Sequence, residues 1–126
     1  MLKRVTFEPG AVLCREGEPA DVAYFLERGE VDLTAFGDTH KIFSGDVCGE
    51  AALLGSSYHA TAVAVSEVEA LSASREDLLQ IIYTDPQKAE LFFDCVIRKV
   101  AALYRTLDRL KNEQAQPAAQ EDRLVG

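Results

Sequence analysis

Apolar positions in the first seventy residues fall in short runs separated by turn residues. Pro9-Gly10, Glu16-Gly17-Glu18-Pro19, Arg28-Gly29-Glu30, Gly37-Asp38, Ser44-Gly45-Asp46 and Gly55-Ser56-Ser57 punctuate the chain at strand-plus-turn intervals. Between them lie Ala11-Val12-Leu13-Cys14, Val22-Ala23-Tyr24-Phe25-Leu26, Val31 to Phe36 and Tyr58 to Val65. Val31, Leu33 and Ala35 alternate with Asp32 and Thr34, the period of a half-buried strand. Thr61, Val63 and Val65 alternate with Ala62 and Ala64, whose methyl groups suit either face, and Val68, Ala70 and Leu71 open a further strand. About seven or eight short strands with even punctuation predict an antiparallel β jelly-roll barrel over residues 1–73. Glu50-Ala51-Ala52-Leu53-Leu54 interrupts them as a single helical turn: it is too rich in Ala and Leu for a strand and too short for an ordinary helix.

The period changes at Ser74, and residues 74–113 read as C-terminal helices. Ser74-Arg75-Glu76-Asp77 has the form of a capping box and opens a short helix through Leu78, Leu79, Ile81 and Ile82. Asp85 can cap a second helix, with Pro86 at its first position, and no Gly or Pro follows until Pro117. The spacing predicts one long helix over 86–113, roughly 40 Å at 1.5 Å per residue. It carries a heptad in which Phe93, Val100 and Leu107 take the a positions and Val96, Leu103 and Leu110 the d positions. A second stripe of Leu91, Cys95 and Ala102 widens the apolar face. The helix is expected to be a dimerisation helix: it exceeds the width of its barrel, and each buried seam side chain contributes ~1.5–3 kcal/mol. The competing arrangement folds the helix wholly onto its own barrel. Residues 114–126 are polar and aperiodic and are expected to form a disordered tail.

At 126 residues, 48% hydrophobic and 27% charged, the chain has the composition of one globular domain. Its net charge of −8 is unevenly distributed: residues 1–85 carry six basic against fifteen acidic side chains, and residues 86–113 carry six against four. An acidic body opposes the phosphate neutralisation that nucleic-acid binding requires, so no direct nucleic-acid partner is expected. No apolar run reaches the ~20 residues of a membrane span, and the N-terminus lacks the apolar stretch of a signal peptide, so no membrane association and a cytoplasmic location are expected. Three widely spaced cysteines (Cys14, Cys48 and Cys95) suggest neither a disulfide framework nor a zinc site. Only two histidines occur, His40 in a polar turn and His59; Ser56-Ser57 lies in no nucleophile elbow; and no phosphate-cradling loop is present. Neither an enzyme nor a metal site is expected.

The order of these segments resembles the cyclic-nucleotide-binding domain of the catabolite activator protein and of cyclic-nucleotide-dependent kinases and channels, over about residues 5 to 113. Phe7-Glu8-Pro9-Gly10 followed by Val12 to Glu18 looks like the family's opening strand and its Glu-Gly-Glu turn. Ala23 to Val31 is similar to the strand pair around a Gly-x-Val turn. Residues 45–63 resemble the phosphate-binding cassette, with Gly49-Glu50 heading the short helix. The resemblance implies that backbone amides at Glu50, Ala51 and Ala52 face an anion and that Glu50 accepts from a ribose hydroxyl. It also implies that an arginine about nine residues later pairs with the cyclic phosphate. In this chain His59 stands at that arginine position and Tyr58 where a proline often sits, and no Lys or Arg occurs between Ile42 and Ser74. A guanidinium gives permanent bidentate pairing to phosphate, whereas an imidazole is mostly neutral at pH 7. Losing that contact costs ~2–5 kcal/mol, roughly two to four decades of affinity.

Three readings of the pocket stay open at this point. It is a degenerate cassette kept for its shape, or it binds a nucleotide through helix-end amides and an atypical set of side chains, or it holds something uncharged or cationic. The candidate ligand-binding residues are Gly49, Glu50, Ala51, Ala52, Ser57, His59, Ala60 and Thr61. The candidate dimer interface is Phe93, Val96, Val100, Leu103, Leu107 and Leu110. No cofactor is expected beyond a cyclic nucleotide as ligand. Only thirteen residues follow Glu113, too few for a DNA-reading domain, so a stand-alone regulatory homodimer acting through an effector protein is expected.

Overall fold

The computed structural model describes residues 2–115. Eight strands form two four-stranded antiparallel sheets. The first sheet has the order β1 (Lys3–Phe7), β8 (Val68–Ser74), β3 (Val22–Arg28), β6 (Val47–Cys48); the second has β2 (Val12–Cys14), β7 (Thr61–Ala64), β4 (Val31–Ala35), β5 (Asp38–Ile42). The expected barrel is thus a jelly roll of two open sheets. Strand ladders run within each sheet, and the sheets meet through side chains of Leu13, Cys14, Leu26, Val31, Cys48, Ala62, Ala64, Val68 and Ala70.

The pairing settles which face β7 buries. It lies between β2 and β4, and Ala62 and Ala64 point into the core while Val63 is half-buried and Val65 exposed. Small side chains line the inner face where the two sheets approach each other most closely. His40, expected in a polar turn, instead sits in the regular edge strand β5 opposite Leu33, with its side chain exposed. The turn is one residue pair earlier: Phe36 and Gly37, at φ 54° and 78°, connect Ala35 to its partner Asp38 in the mirror-image geometry that hairpins favour.

Helix α1 (Arg75–Thr84) opens with both halves of the capping box: the Asp77 N–H donates to Ser74 Oγ at 3.1 Å, and the Ser74 N–H to Asp77 Oδ2 at 3.0 Å. Asp85 Oδ1 accepts from the Lys88 N–H at 3.2 Å, and α2 runs over Pro86–Ala115. The helix therefore extends two residues beyond the expected range, and residues 116–126 of the expected tail lie outside the described residues. The chain divides into two compact units that part between Val96 and Ile97 within α2. In the first unit Phe92 and Cys95, from the start of α2, share a second core cluster with Leu78 of α1, Ala23 and Val47 of the first sheet, and Ala51 and Ala52 of the helical turn. Cys95 Sγ donates to the Gly45 carbonyl at 3.3 Å, fixing α2 to the turn that leads into β6. In the second unit Val100, Tyr104 and Leu107 are exposed and Leu110 is half-buried.

Candidate functional site

The expected helical turn is a short 3₁₀ helix over Glu50–Leu53. Gly49 caps it in the left-handed region (φ 78°, ψ 23°), where a residue without Cβ is favoured. The Ala52 N–H closes back on the Gly49 carbonyl at 3.0 Å, and the Leu54 N–H on the Ala51 carbonyl at 3.0 Å, so these two amides are turned into the helix. Ala51 and Ala52 are buried because they form the face that meets α1 and α2 in the second core cluster. Their small size lets a four-residue helix pack closely against β3 and α1.

The structure brings five of the eight candidate ligand residues to one place. Gly49, Glu50, Ala51, His59 and Ala60, with Cys14, Leu33 and Tyr58, line a single cavity. The other three stand apart from it. Ala52 is fully buried in the core beneath, Ser57 is exposed and bridges to Pro19, and Thr61 Oγ1 accepts from the Glu16 N–H at 3.1 Å, pinning the loop after β2. No Lys or Arg contributes to the lining, and His59 is exposed at its edge. The cavity holds about 10 Å³, roughly the space of one water. Sites for drug-sized ligands are about 300–1,000 Å³.

Tyr58 is one of the residues that line the cavity, and its ring passes beside Gly49. Its hydroxyl donates to the Val22 carbonyl at 2.7 Å and accepts from the Val22 N–H at 3.2 Å. Burial pushes its phenol pKa up, against the lowering effect of the bond to Val22. A neighbouring phenol, Tyr24, is pushed up to about 12, first by burial and then by Tyr58, Cys14 and Cys48 around it. The space beside Gly49 is filled by protein rather than kept open for a ligand. A methyl group there would lie 2.8 Å from the Val22 carbonyl oxygen, 3.1 Å from Cys14 Sγ and 3.2 Å from Tyr58 Cε1. Cys48, fully buried, is a small core residue, as its neighbours imply.

Arg75 is a side chain beside the helical turn that the motif pattern did not single out. It is the first basic residue after the gap that begins at Ile42, and its Nε donates to the Leu53 carbonyl at 3.0 Å, at the end of the 3₁₀ helix. It ties α1 to the cassette and lines a separate open cleft of about 440 Å³ with Pro19, Asp21, Ser56 and Glu76. The signal was the charge gap itself, since the residue that ends such a gap is the nearest cation in sequence. Among the described residues no cluster of His, Cys, Asp or Glu is arranged to hold a metal ion, and no helix is long and apolar enough to cross a membrane.

The two-sheet sandwich, the glycine-capped helical turn between β6 and β7 and the following helices define a class, and comparison with known proteins identifies it. The family model for the cyclic nucleotide-binding domain matches residues 4–85. The chain belongs to the cyclic nucleotide-binding domain family. It is 38% identical over 95 residues to Protein CNGC15a of Medicago truncatula, a match covering 61% of this chain and 13% of that protein. It is 35% identical over 92 residues to a cyclic nucleotide-gated potassium channel of Mesorhizobium japonicum, covering 72% of this chain and 26% of the channel. The chain thus spans a small part of the curated relatives it matches. Among solved structures, the catabolite activator protein of Thermus thermophilus superposes with a TM-score of 0.74 at 27% identity, over 90% of this chain and 57% of the other.

Proposed function

We propose that this protein is a dimeric regulatory module that acts through a partner protein, and that its cassette binds cyclic AMP weakly or not at all. The observation that carries the reading is the cassette cavity: about 10 Å³, lined by His59 and by no cation that stays charged at neutral pH. A cyclic phosphate seated there would lack a guanidinium partner, and the enclosed space is far smaller than the ~300–1,000 Å³ of a drug-sized ligand site. The role is binding and signalling rather than catalysis. The stretch matched in the bacterial cyclic nucleotide-gated potassium channel is 26% of that chain, so there the matched segment is joined to further protein segments. An effector protein in the same position is the corresponding arrangement for this module.

A thermal-shift titration with millimolar cyclic AMP and cyclic GMP tests the reading. A ligand at 100 times its Kd would stabilise the fold by ~2.7 kcal/mol. The expected result is no shift in Tm with either nucleotide; a response in the micromolar range overturns the reading. One observation favours a second reading, a sensor with an atypical pocket: Gly49, Glu50, Ala51, His59 and Ala60 do converge on one cavity. Including cyclic dinucleotides in the same titration separates the two, because a shift with one of them and none with cyclic AMP supports the sensor.

A further inference from the structure

Tyr58 is fixed through its main chain as well as through its side chain. Its N–H donates to the Glu18 carbonyl at 2.9 Å, its carbonyl accepts from the Gly17 N–H at 2.9 Å, and its hydroxyl makes both bonds to Val22. The ring packs against both core clusters. It crosses from the loop that follows the 3₁₀ helix to the first residue of β3, passing beside Gly49 in the floor of the cassette. Gly49 makes this path passable, because any Cβ would meet Tyr58 and the Val22 carbonyl. A glycine position that could admit a ligand is used here to admit a side chain of the protein itself.

We propose that Tyr58 is a built-in occluder of the cassette, an internal competitor whose ring and hydroxyl must leave before any cyclic nucleotide can enter. This inference rests on the reading of the cassette given above and adds a second cause of weak binding, independent of the missing guanidinium. The two causes are arranged in series. An arginine at position 59 supplies a phosphate partner, but the phosphate cannot reach it while the floor is occupied. Opening breaks two hydrogen bonds and exposes part of the ring, so the open form is a minor state, and apparent affinity falls in proportion to its population.

Calorimetric titration of cyclic AMP into four versions of the 126-residue chain tests this: wild type, Tyr58→Ala, His59→Arg and the double variant. The double variant is expected to bind about tenfold or more tightly than His59→Arg alone. Equal affinities for those two, or no binding by a double variant that retains the native circular dichroism spectrum, overturns the proposal. Where the alanine variants fail to fold, Tyr58→Phe keeps the ring and removes both bonds to Val22. In the His59→Arg background it is expected to tighten binding about threefold, and no change overturns the proposal. The parent reading is judged separately, by the wild type: micromolar binding there defeats the degenerate cassette, whereas the occluder stands or falls on the ratio between the double variant and His59→Arg.

Discussion

Two phenols near the cassette, Tyr24 and Tyr58, both resist ionisation, and the cause is chiefly burial. Tyr24 pairs opposite Cys48 in the β3–β6 ladder and meets Phe7 edge-on at a ring separation of 5.2 Å. Its folded pKa of about 12 lies above the unfolded value of 10.0, so the unfolded chain loses its proton first as pH rises. The folded state binds more protons in that window, and stability must fall there. The contribution is complete below pH 10 and is lost as pH climbs towards 12. Urea denaturation at several pH values is expected to show a midpoint that is flat with respect to these phenols up to about pH 10 and declines above it. Tyr24→Phe, which cannot titrate, is expected to make that decline shallower. An unchanged slope in the variant would assign the alkaline loss to other groups.

At the level of elements, the start of α2 depends on one aromatic side chain. Phe92 is 2% exposed and lies 6.1 Å from the Phe25 ring, whereas its neighbour Phe93 is 42% exposed. Phe92→Ala leaves a cavity among β3, α1 and the 3₁₀ helix and is expected to cost ~3–5 kcal/mol; Phe93→Ala is expected to cost less than half of that. Chemical denaturation of both variants checks the order. Much of the architecture was legible in the chain: the runs that become β2, β3, β4, β7 and β8, the helical interruption at Glu50, and both helix starts at Ser74 and Asp85 follow from punctuation and capping chemistry. Other features were not. The heptad drew attention to Phe93, yet the buried face of α2 runs through Ala89, Phe92 and Cys95, a stripe at helical spacing that competed with the seam pattern in the same residues. β5 was obscured because, after the Gly37-Asp38 turn signal, it is an edge strand of mainly polar residues, Asp38 to Lys41, with Ile42 alone buried. In the site, the grouping of Gly49, Glu50, Ala51, His59 and Ala60 around one cavity was readable from the resemblance. The closed floor was not, because it depends on Tyr58 reaching Val22 across 36 positions of sequence.

For the whole molecule, the exposed apolar residues of α2 are where the dimer of the proposed function is tested. Val100 is 41% and Leu107 49% exposed, both at a positions of the heptad, and dimerisation would cover them. Light scattering at about tens of micromolar is expected to give twice the 13.8 kDa chain mass for the wild type and a monomer for Val100→Glu, since a carboxylate in the seam is costly to desolvate. A monomeric wild type removes the dimer from the proposed function. The other exposed surface of consequence is the rim of the second sheet. β5 ends that sheet and presents Thr39, His40 and Lys41 outward, with Lys41 3.2 Å from Asp32 on the neighbouring strand. An open rim offers unpaired peptide groups to any extended chain, the template on which fibrils grow. Here an incoming strand would have to strip water from a charged lysine and lie alongside polar side chains. The β5 edge is thereby protected from pairing with a strand of another copy, even where many copies are crowded together.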